Sequence, residues 1–230
     1  MDGNRNSPVC NKNCNRKDKN RKEMKAKNLK EQVYQAILES IYASEYLPDQ
    51  ILTESELIQR FGYSKSPIRE ALSALCHEGI LRNIPRCGYQ IVALTSEDIQ
   101  NIQQYRLILE SGMIQAGFSH MTEDYFRKLE HLATLCSQHT DNIISHWIYN
   151  RDFHVALISA AGNTYACEQL SNSMMLLYRA YAQIHWRKTH EPFSLSDMKY
   201  HARIIEALRK KDLDSAIAYL KKDFQDFGSK

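Results

Sequence analysis

In the run Asn150-Arg151-Asp152-Phe153-His154-Val155-Ala156-Leu157, an amide and an imidazole stand four residues apart with a carboxylate midway between them. If the run is helical, each residue turns by about 100°, so Asn150 and His154 project from one face and Asp152 from nearly the opposite one. An oxygen donor beside an imidazole can make one edge of a metal site, provided other parts of the chain complete it. The same two side chains also suit a hydrogen-bonded polar contact within a core, and the pair alone does not separate these readings. Arg106 and Glu110 repeat the four-residue spacing and can close an ion pair along one helix. Arg179, with Tyr178 and Tyr181 around it, is a further cation suited either to an anionic ligand or to a salt bridge between helices.

These residues fall in a stretch, 95–230, that shows helical spacing throughout and almost no strand pattern. Thr95-Ser96-Glu97-Asp98 caps a helix carrying Ile99, Ile102, Leu109 and Met113, and a second starts near Thr122 with Phe126, Leu129 and Leu132. Later helices are predicted over about 142–161, 164–187, 195–210 and 212–226, punctuated by Gly162-Asn163, Pro192 and Lys211-Asp212. The expectation is an all-α bundle of about six helices.

Residues 29–94 read differently. Leu29, Val33, Ile37 and Ile41 mark a first helix, and Thr53 followed by Glu56 is a capping box that opens a second, which Gly62 ends. Ser64 is the expected N-cap of a third helix bearing Ile68, Leu72 and Leu75, closed at Gly79. Two short helices joined through a glycine turn form a helix-turn-helix. The β-prone runs 80–84 and 89–92 flank Pro85-Arg86-Cys87-Gly88 and predict a hairpin wing. Residues 31–94 hold five basic and eight acidic residues, yet the five basics, Arg60, Lys65, Arg69, Arg82 and Arg86, all lie at the second and third helices and the wing. Segregated in this way, they give one positive face to a domain that is negative overall.

Composition bounds the function. The net charge of +3 averages a basic arm, residues 1–28, with a chain that is otherwise slightly acidic. This arm is rich in Asn and Lys, poor in large apolar residues, and expected to be disordered, either touching DNA phosphates or simply solvated. No apolar run approaches the roughly 20 residues of a membrane helix and no signal peptide is evident, so a cytoplasmic protein is expected. The six cysteines lack the framework of a secreted domain, and Cys10 and Cys14 form only a lone CxxxC.

The run LTESELIQRFGYSKSPIREALSALCHEGILRNIPRCGYQI resembles the DNA-binding domain of the GntR family of bacterial transcription regulators, marked by its hydroxyl-basic-hydroxyl-Pro-aliphatic-Arg-Glu-Ala-Leu stretch. The resemblance implies that Ser64, Lys65, Ser66 and Arg69 sit at the start of a recognition helix reaching bases and phosphates, with Arg86 in the wing and Gly88 at its tip. Lys65 stands where the family usually has Arg, and it lacks the planar fork that grips guanine. The segments LTSEDIQNIQQYRLILE, NRDFHVALISAAGN and YHARIIEALRKKDLDSAIAYL resemble the FCD ligand-binding domain of the FadR-like subgroup. In many FCD domains an Asp, at the place of Asn150, joins three His to hold a divalent metal. The resemblance brings His201 and Asp223 to Asn150 and His154, with Asn150 and Asp223 as two departures from the usual set, and it turns Arg106 toward an effector carboxylate.

The expectation is therefore a homodimeric regulator, not an enzyme. Its winged helix binds double-stranded operator DNA, an inverted repeat, and its helical domain binds a small, carboxylate-bearing effector near a divalent metal, with no organic cofactor. A regulator answering to the metal alone, and a metal-dependent enzyme, are the alternatives. The enzyme reading lacks a recognisable base or nucleophile beside the proposed ligands.

Overall fold

The computed structural model of the chain describes residues 29–43, 45–139, 143–186 and 199–226. The basic arm, the Cys10 and Cys14 pair, Pro192 and the first residues of the helix expected from 195 lie outside the described residues. Two compact units are present, Met1–Val92 and Ala93–Lys230.

In the first unit, α1 (29–42) buries Val33, Ile37, Leu38 and Ile41 along one face. Helix α2 (Glu54–Phe61) starts at the expected capping box, in which Thr53 and Glu56 satisfy each other's backbone N–H groups, and it ends at Gly62 in the left-handed conformation, φ 71°. Helix α3 (Lys65–His77) buries Pro67, Ile68, Ala71, Leu72 and Leu75. Ser64 occupies its N-cap position, but the Ser64 side chain makes no capping hydrogen bond. The wing consists of β2 (Leu81–Ile84) and β3 (Gly88–Ile91), antiparallel, with Arg82 opposite Gln90 and Ile84 opposite Gly88. A two-residue strand, β1 (Ile51–Leu52), pairs with the other edge of β3, giving the order β1-β3-β2. Sequence reading places only a turn before α2, because two residues are too few to show a period and the pairing partner lies nearly forty positions away.

The turn 85–87 closes the wing with Arg86 at φ 66°, and Gly88 opens β3 rather than capping the tip. Gly88 has φ 134°, and a Cβ there would stand 2.5 Å from the Leu52 carbonyl oxygen. Only glycine combines that backbone with so close an approach of β1.

The second unit holds six α-helices among its described residues: α4 (Ser96–Gly117), α5 (Glu123–Gln138), α6 (Ile143–Ile158), α7 (Thr164–Tyr181), α8 (His201–Arg209) and α9 (Leu213–Asp226). Thr95 and Asp98 form the capping box of α4, and Thr122 and Asn163 cap α5 and α7. A 3-10 turn, Ser159–Ala161, follows α6 and ends at Gly162, φ 68°, and a π-helical turn, Ala182–Trp186, continues α7. One core joins Ile114, Phe126, Leu129, Phe153, Leu157, Ile204, Leu208, Leu220 and Phe224, drawn from α4, α5, α6, α8 and α9. The C-terminal end of α4 meets the turn after α6 so closely that a Cβ on Gly117 would lie 2.5 Å from the Ala161 nitrogen. The architecture is the expected one: a winged helix followed by an all-α bundle. Among the described residues no helix is long and apolar enough to cross a membrane.

Candidate functional site

On α3 the apolar side packs into the core of the first unit and leaves Ser64, Lys65, Ser66 and Arg69 exposed at its N-terminal end. The side chains of Lys65 and Arg69 are 63% and 59% exposed, which makes them available to a large polyanion. Both lean toward Glu54 of α2: Arg69 Nε donates to Glu54 Oε1 at 2.6 Å, and Lys65 Nζ lies 3.6 Å from Glu54 Oε2. Ser66 Oγ donates to Glu70. Arg86 and Cys87 are exposed at the wing turn, and Arg82 is exposed on β2. The first unit therefore presents a short basic row at a helix start and further cations on its hairpin.

In the second unit four buried polar residues come together from three helices. Helix α6 supplies Asn150 and His154, α8 supplies His201 and α9 supplies Asp223, and none of the four is more than 3% exposed. Ring nitrogens of His154 and His201 and a carboxylate oxygen of Asp223 all lie within 4.8 Å of one another. His154 Nε2 faces Asp223 Oδ2 at 3.2 Å without hydrogen-bond alignment, and His201 Nε2 stands 3.7 Å from Asp223 Oδ1. Phe153 stacks on the His201 ring, with centroids 3.8 Å apart and planes at 19°, fixing its orientation. Asp152, two residues from each member of the α6 pair, is 40% exposed and accepts from Arg151 at 2.7 Å, on the opposite side of the helix as its spacing predicts.

Among the described residues, several donor and acceptor atoms of this site lack hydrogen-bond partners. They include Asn150 Oδ1 and both ring nitrogens of His201. A buried polar atom left in this way costs about 1–3 kcal/mol.

The arginine expected to meet an effector is bound into the same site. Arg106 of α4 is buried, its Nε donates to Glu110 Oε1 at 3.0 Å, and its guanidinium lies 4.2 Å over the Phe224 ring. Among the described residues its Nη2 has no hydrogen-bond partner. Glu110, fully buried, uses its second oxygen on the next member: His154 Nδ1 donates to Glu110 Oε2 at 2.7 Å. That second contact is absent from the sequence reading, which pairs Glu110 with Arg106 only. Arg179 is also buried, beside Tyr178 and Tyr181, and Gln103 Nε2 donates to the Tyr181 hydroxyl at 2.9 Å. Sequence reading passes over His146 as well. It is buried one turn before Asn150, its Nδ1 3.6 Å from Cys136 Sγ of α5, and its place on the Asn150–His154 stripe is the signal that could have found it.

Electrostatics divide the two histidines. Burial disfavours a charged His154, yet Glu110, aided by the Asp223 carboxylate, prevails over burial and Arg106 and raises its pKa above the ordinary histidine value. Burial would raise the Glu110 carboxyl, but His154 and Arg106 hold it below the ordinary carboxylate range. His201 is pushed well below the ordinary value, first by burial and then by the neighbouring His154, His146 and Arg106, so it presents a neutral ring with an available lone pair. A groove of about 530 Å³ between α5 and α8 runs past Glu130, Thr134 and Arg209 to His201.

Residues 29–91 match the sequence profile of bacterial regulatory proteins of the gntR family, and residues 101–226 match that of the FCD domain. The chain is 26% identical, over 78% of its length and 75% of the relative's, to the gluconate operon transcriptional repressor of Bacillus licheniformis. It is 25% identical to the HTH-type transcriptional repressor NanR of Salmonella schwarzengrund, over 85% of this chain and 81% of that one. Among solved structures, a GntR transcriptional regulator from Rhodococcus sp. RHA1 superposes with a TM-score of 0.68 at 19% identity, over 87% of this chain and 98% of the other. McbR/YncC of E. coli superposes with a TM-score of 0.65 at 20% identity, over 86% and 93%. At those identities the structural likeness speaks for the fold.

Proposed function

The chain belongs to the gntR family of bacterial regulatory proteins, transcription regulators, with an FCD domain behind its DNA-binding domain, and on that premise we propose a one-component regulator that senses a small carboxylate beside a divalent metal. In this reading Ser64, Lys65, Ser66 and Arg69 read the major groove of an operator while Arg86 and the wing follow the adjacent backbone. Two copies act together in the cytoplasm on an inverted repeat, since two-fold symmetry in the protein is matched by two-fold symmetry in the half-sites. The effector contributes through its differential affinity for two arrangements of the dimer.

The donor set fits a metal. Two imidazoles, a carboxylate and an amide oxygen converge in a buried place, His201 offers unpartnered nitrogens, and His154 has its Nδ1–H fixed on Glu110 so that Nε2 faces inward. Asn150, His154, His201 and Asp223 would hold the ion, and Zn, Ni, Mn or Fe suits such mixed nitrogen and oxygen donors. When bound, the ion supplies a Lewis-acidic anchor for an oxyanion. The protein's own cations then orient that oxyanion, Arg106 through Nη2 and Arg179 from α7. The gluconate operon repressor, one of the relatives, carries a sugar acid in its name, which agrees with a carboxylate effector. A regulator answering to the metal itself is the second reading, favoured by the pairing of Arg106 with Glu110, which neutralises the cation assigned to the effector.

The observation that carries the proposal is the convergence of His154, His201 and Asp223, with unpartnered His201 nitrogens, in a chain whose other domain exposes Lys65 and Arg69. It is tested by selecting binders from a random-sequence duplex pool with protein purified without a metal-affinity tag, alongside elemental analysis. Enrichment of an inverted repeat and about one metal per chain are expected. A pool without a common sequence would remove the operator reading, and no metal after incubation with Zn, Ni or Mn would remove the sensing site.

A further inference from the structure

We propose that Glu110 is the positioning residue of the metal site and that the same carboxylate holds the effector arginine, so the two binding functions share one side chain. This rests on the metal reading above. The geometry is specific: one oxygen of Glu110 accepts from Arg106 Nε at 3.0 Å and the other accepts from His154 Nδ1 at 2.7 Å, with Glu110 and His154 fully buried and Arg106 only 3% exposed. No water competes for either contact at such burial. An ionised carboxylate can only accept, so Nδ1 of His154 carries the proton and Nε2 is left to face Asp223 and the place of the ion. The contact decides both the tautomer and the angle of the ring, and it raises the basicity of the ligating nitrogen.

The other half of the device is mechanical. Arg106 and Glu110 stand four residues apart on α4, so any displacement of the guanidinium by an anion at Nη2 is felt by a carboxylate one helical turn away. Arg106 also lies over Phe224, the residue that follows the ligand Asp223 on α9. Effector and metal therefore act on one unit, Arg106–Glu110–His154 with Phe224–Asp223, rather than on separate sites joined through a distant core.

The test uses Co²⁺ as probe, followed by its visible absorption, on full-length protein stripped of metal. Four proteins are compared: wild type, Glu110→Gln, Arg106→Met and the double variant Arg106→Met/Glu110→Gln. Glu110→Gln is expected to weaken Co²⁺ binding roughly 10–100-fold and to change the visible bands, because an amide can face His154 with either its oxygen or its nitrogen and no longer dictates the tautomer. Arg106→Met keeps the carboxylate that faces His154, so its effect on Co²⁺ affinity and on the visible bands is expected to be smaller than that of Glu110→Gln. If Glu110→Gln strands Arg106 and does not fold, the double variant removes both charges and carries the same expected loss. Wild-type affinity and an unchanged spectrum in the double variant, or a loss in Arg106→Met as large as that in Glu110→Gln, would overturn the assignment while leaving the metal site standing. Absence of any Co²⁺ uptake by wild type would instead overturn the metal reading, and the role given to Glu110 with it.

Discussion

At the scale of single residues, the buried site makes separable demands on its members. Removing His154 or His201 should abolish metal retention measured by elemental analysis, whereas Asp152→Ala should retain it, because Asp152 faces solvent and pairs with Arg151. Asn150→Asp should tighten binding by restoring an anionic donor, and equal or weaker retention would show that Asn150 Oδ1 does not reach the ion. The pH dependence follows from His154. Its folded pKa stands above the ordinary value of about 6.5, so a metal must displace a proton there, and occupancy should fall as pH falls through that raised value. In the metal-free protein the sign is opposite: the raised His154 contributes stability that is complete below its unfolded pKa and fades as pH rises through the folded one. Metal content that is constant from about pH 8 to about pH 5 would exclude His154 as a ligand. Spacing alone made Asn150 and His154 legible as a pair and placed Asp152 opposite. His201 and Asp223 were not legible in this way, since convergence of three helices is a tertiary fact that only the family resemblance supplied. The second contact of Glu110 stayed hidden because a four-residue Arg–Glu spacing looks the same on a solvated helix face and in a core.

At the scale of elements, the local signals that end and begin helices carried most of the fold. Thr53–Glu56 and Thr95–Asp98 each form the reciprocal caps their spacing announces, and Gly62 and Gly162 adopt the left-handed conformation that stops a helix. Ser64 shows the limit: the residue type marks the start of α3, but its hydroxyl makes no cap hydrogen bond and stays exposed. Short strands were legible where a hairpin brought partners together and illegible in β1, whose partner is remote. Two predictions belong here. Lys65→Ala and Arg69→Ala should each weaken binding to a selected operator by about tenfold or more, about 1.4 kcal/mol, while thermal unfolding shifts little, because both side chains are exposed on α3. Unchanged affinity in both, in the same buffer, would remove α3 as the reading element. Gly88→Ala should destabilise the first unit by on the order of 1–3 kcal/mol, since its φ of 134° and the Leu52 carbonyl at 2.5 Å leave no place for a methyl group. Denaturant unfolding of the isolated change reads this directly, and a midpoint equal to wild type would mean that β1 can move away from β3 at no cost.

For the whole molecule, the charge asymmetry separates non-specific attraction from recognition. Deleting residues 1–28 should lower affinity for operator and random duplex by similar factors, because an excess of Lys and Arg contributes phosphate contacts and counterion release. A loss confined to the operator would assign the arm a reading role. The division into two units gives a second expectation. A metal held at about 1,000 times its Kd adds roughly 4 kcal/mol to the stability of whatever folds around it. Hydrogen exchange should therefore slow on metal addition in α4, α6, α8 and α9, which carry the site, and the amides of α1 to α3 should report how far that stabilisation spreads.

The close approach at Gly117 has a genetic consequence. Every codon for glycine begins GG, and any change at either of those two bases yields a residue with a Cβ or a stop. Each of these missense outcomes places a carbon within 2.5 Å of the Ala161 nitrogen and 2.6 Å of the Ala160 carbonyl carbon, backbone atoms that no rotamer can withdraw. The crossing joins the C-terminal end of α4, the helix that bears Arg106 and Glu110, to the turn that follows α6, the helix that bears His154. Two nucleotides at codon 117 thus belong among the positions where spontaneous point changes are expected to disturb the packing of α4 against the turn after α6.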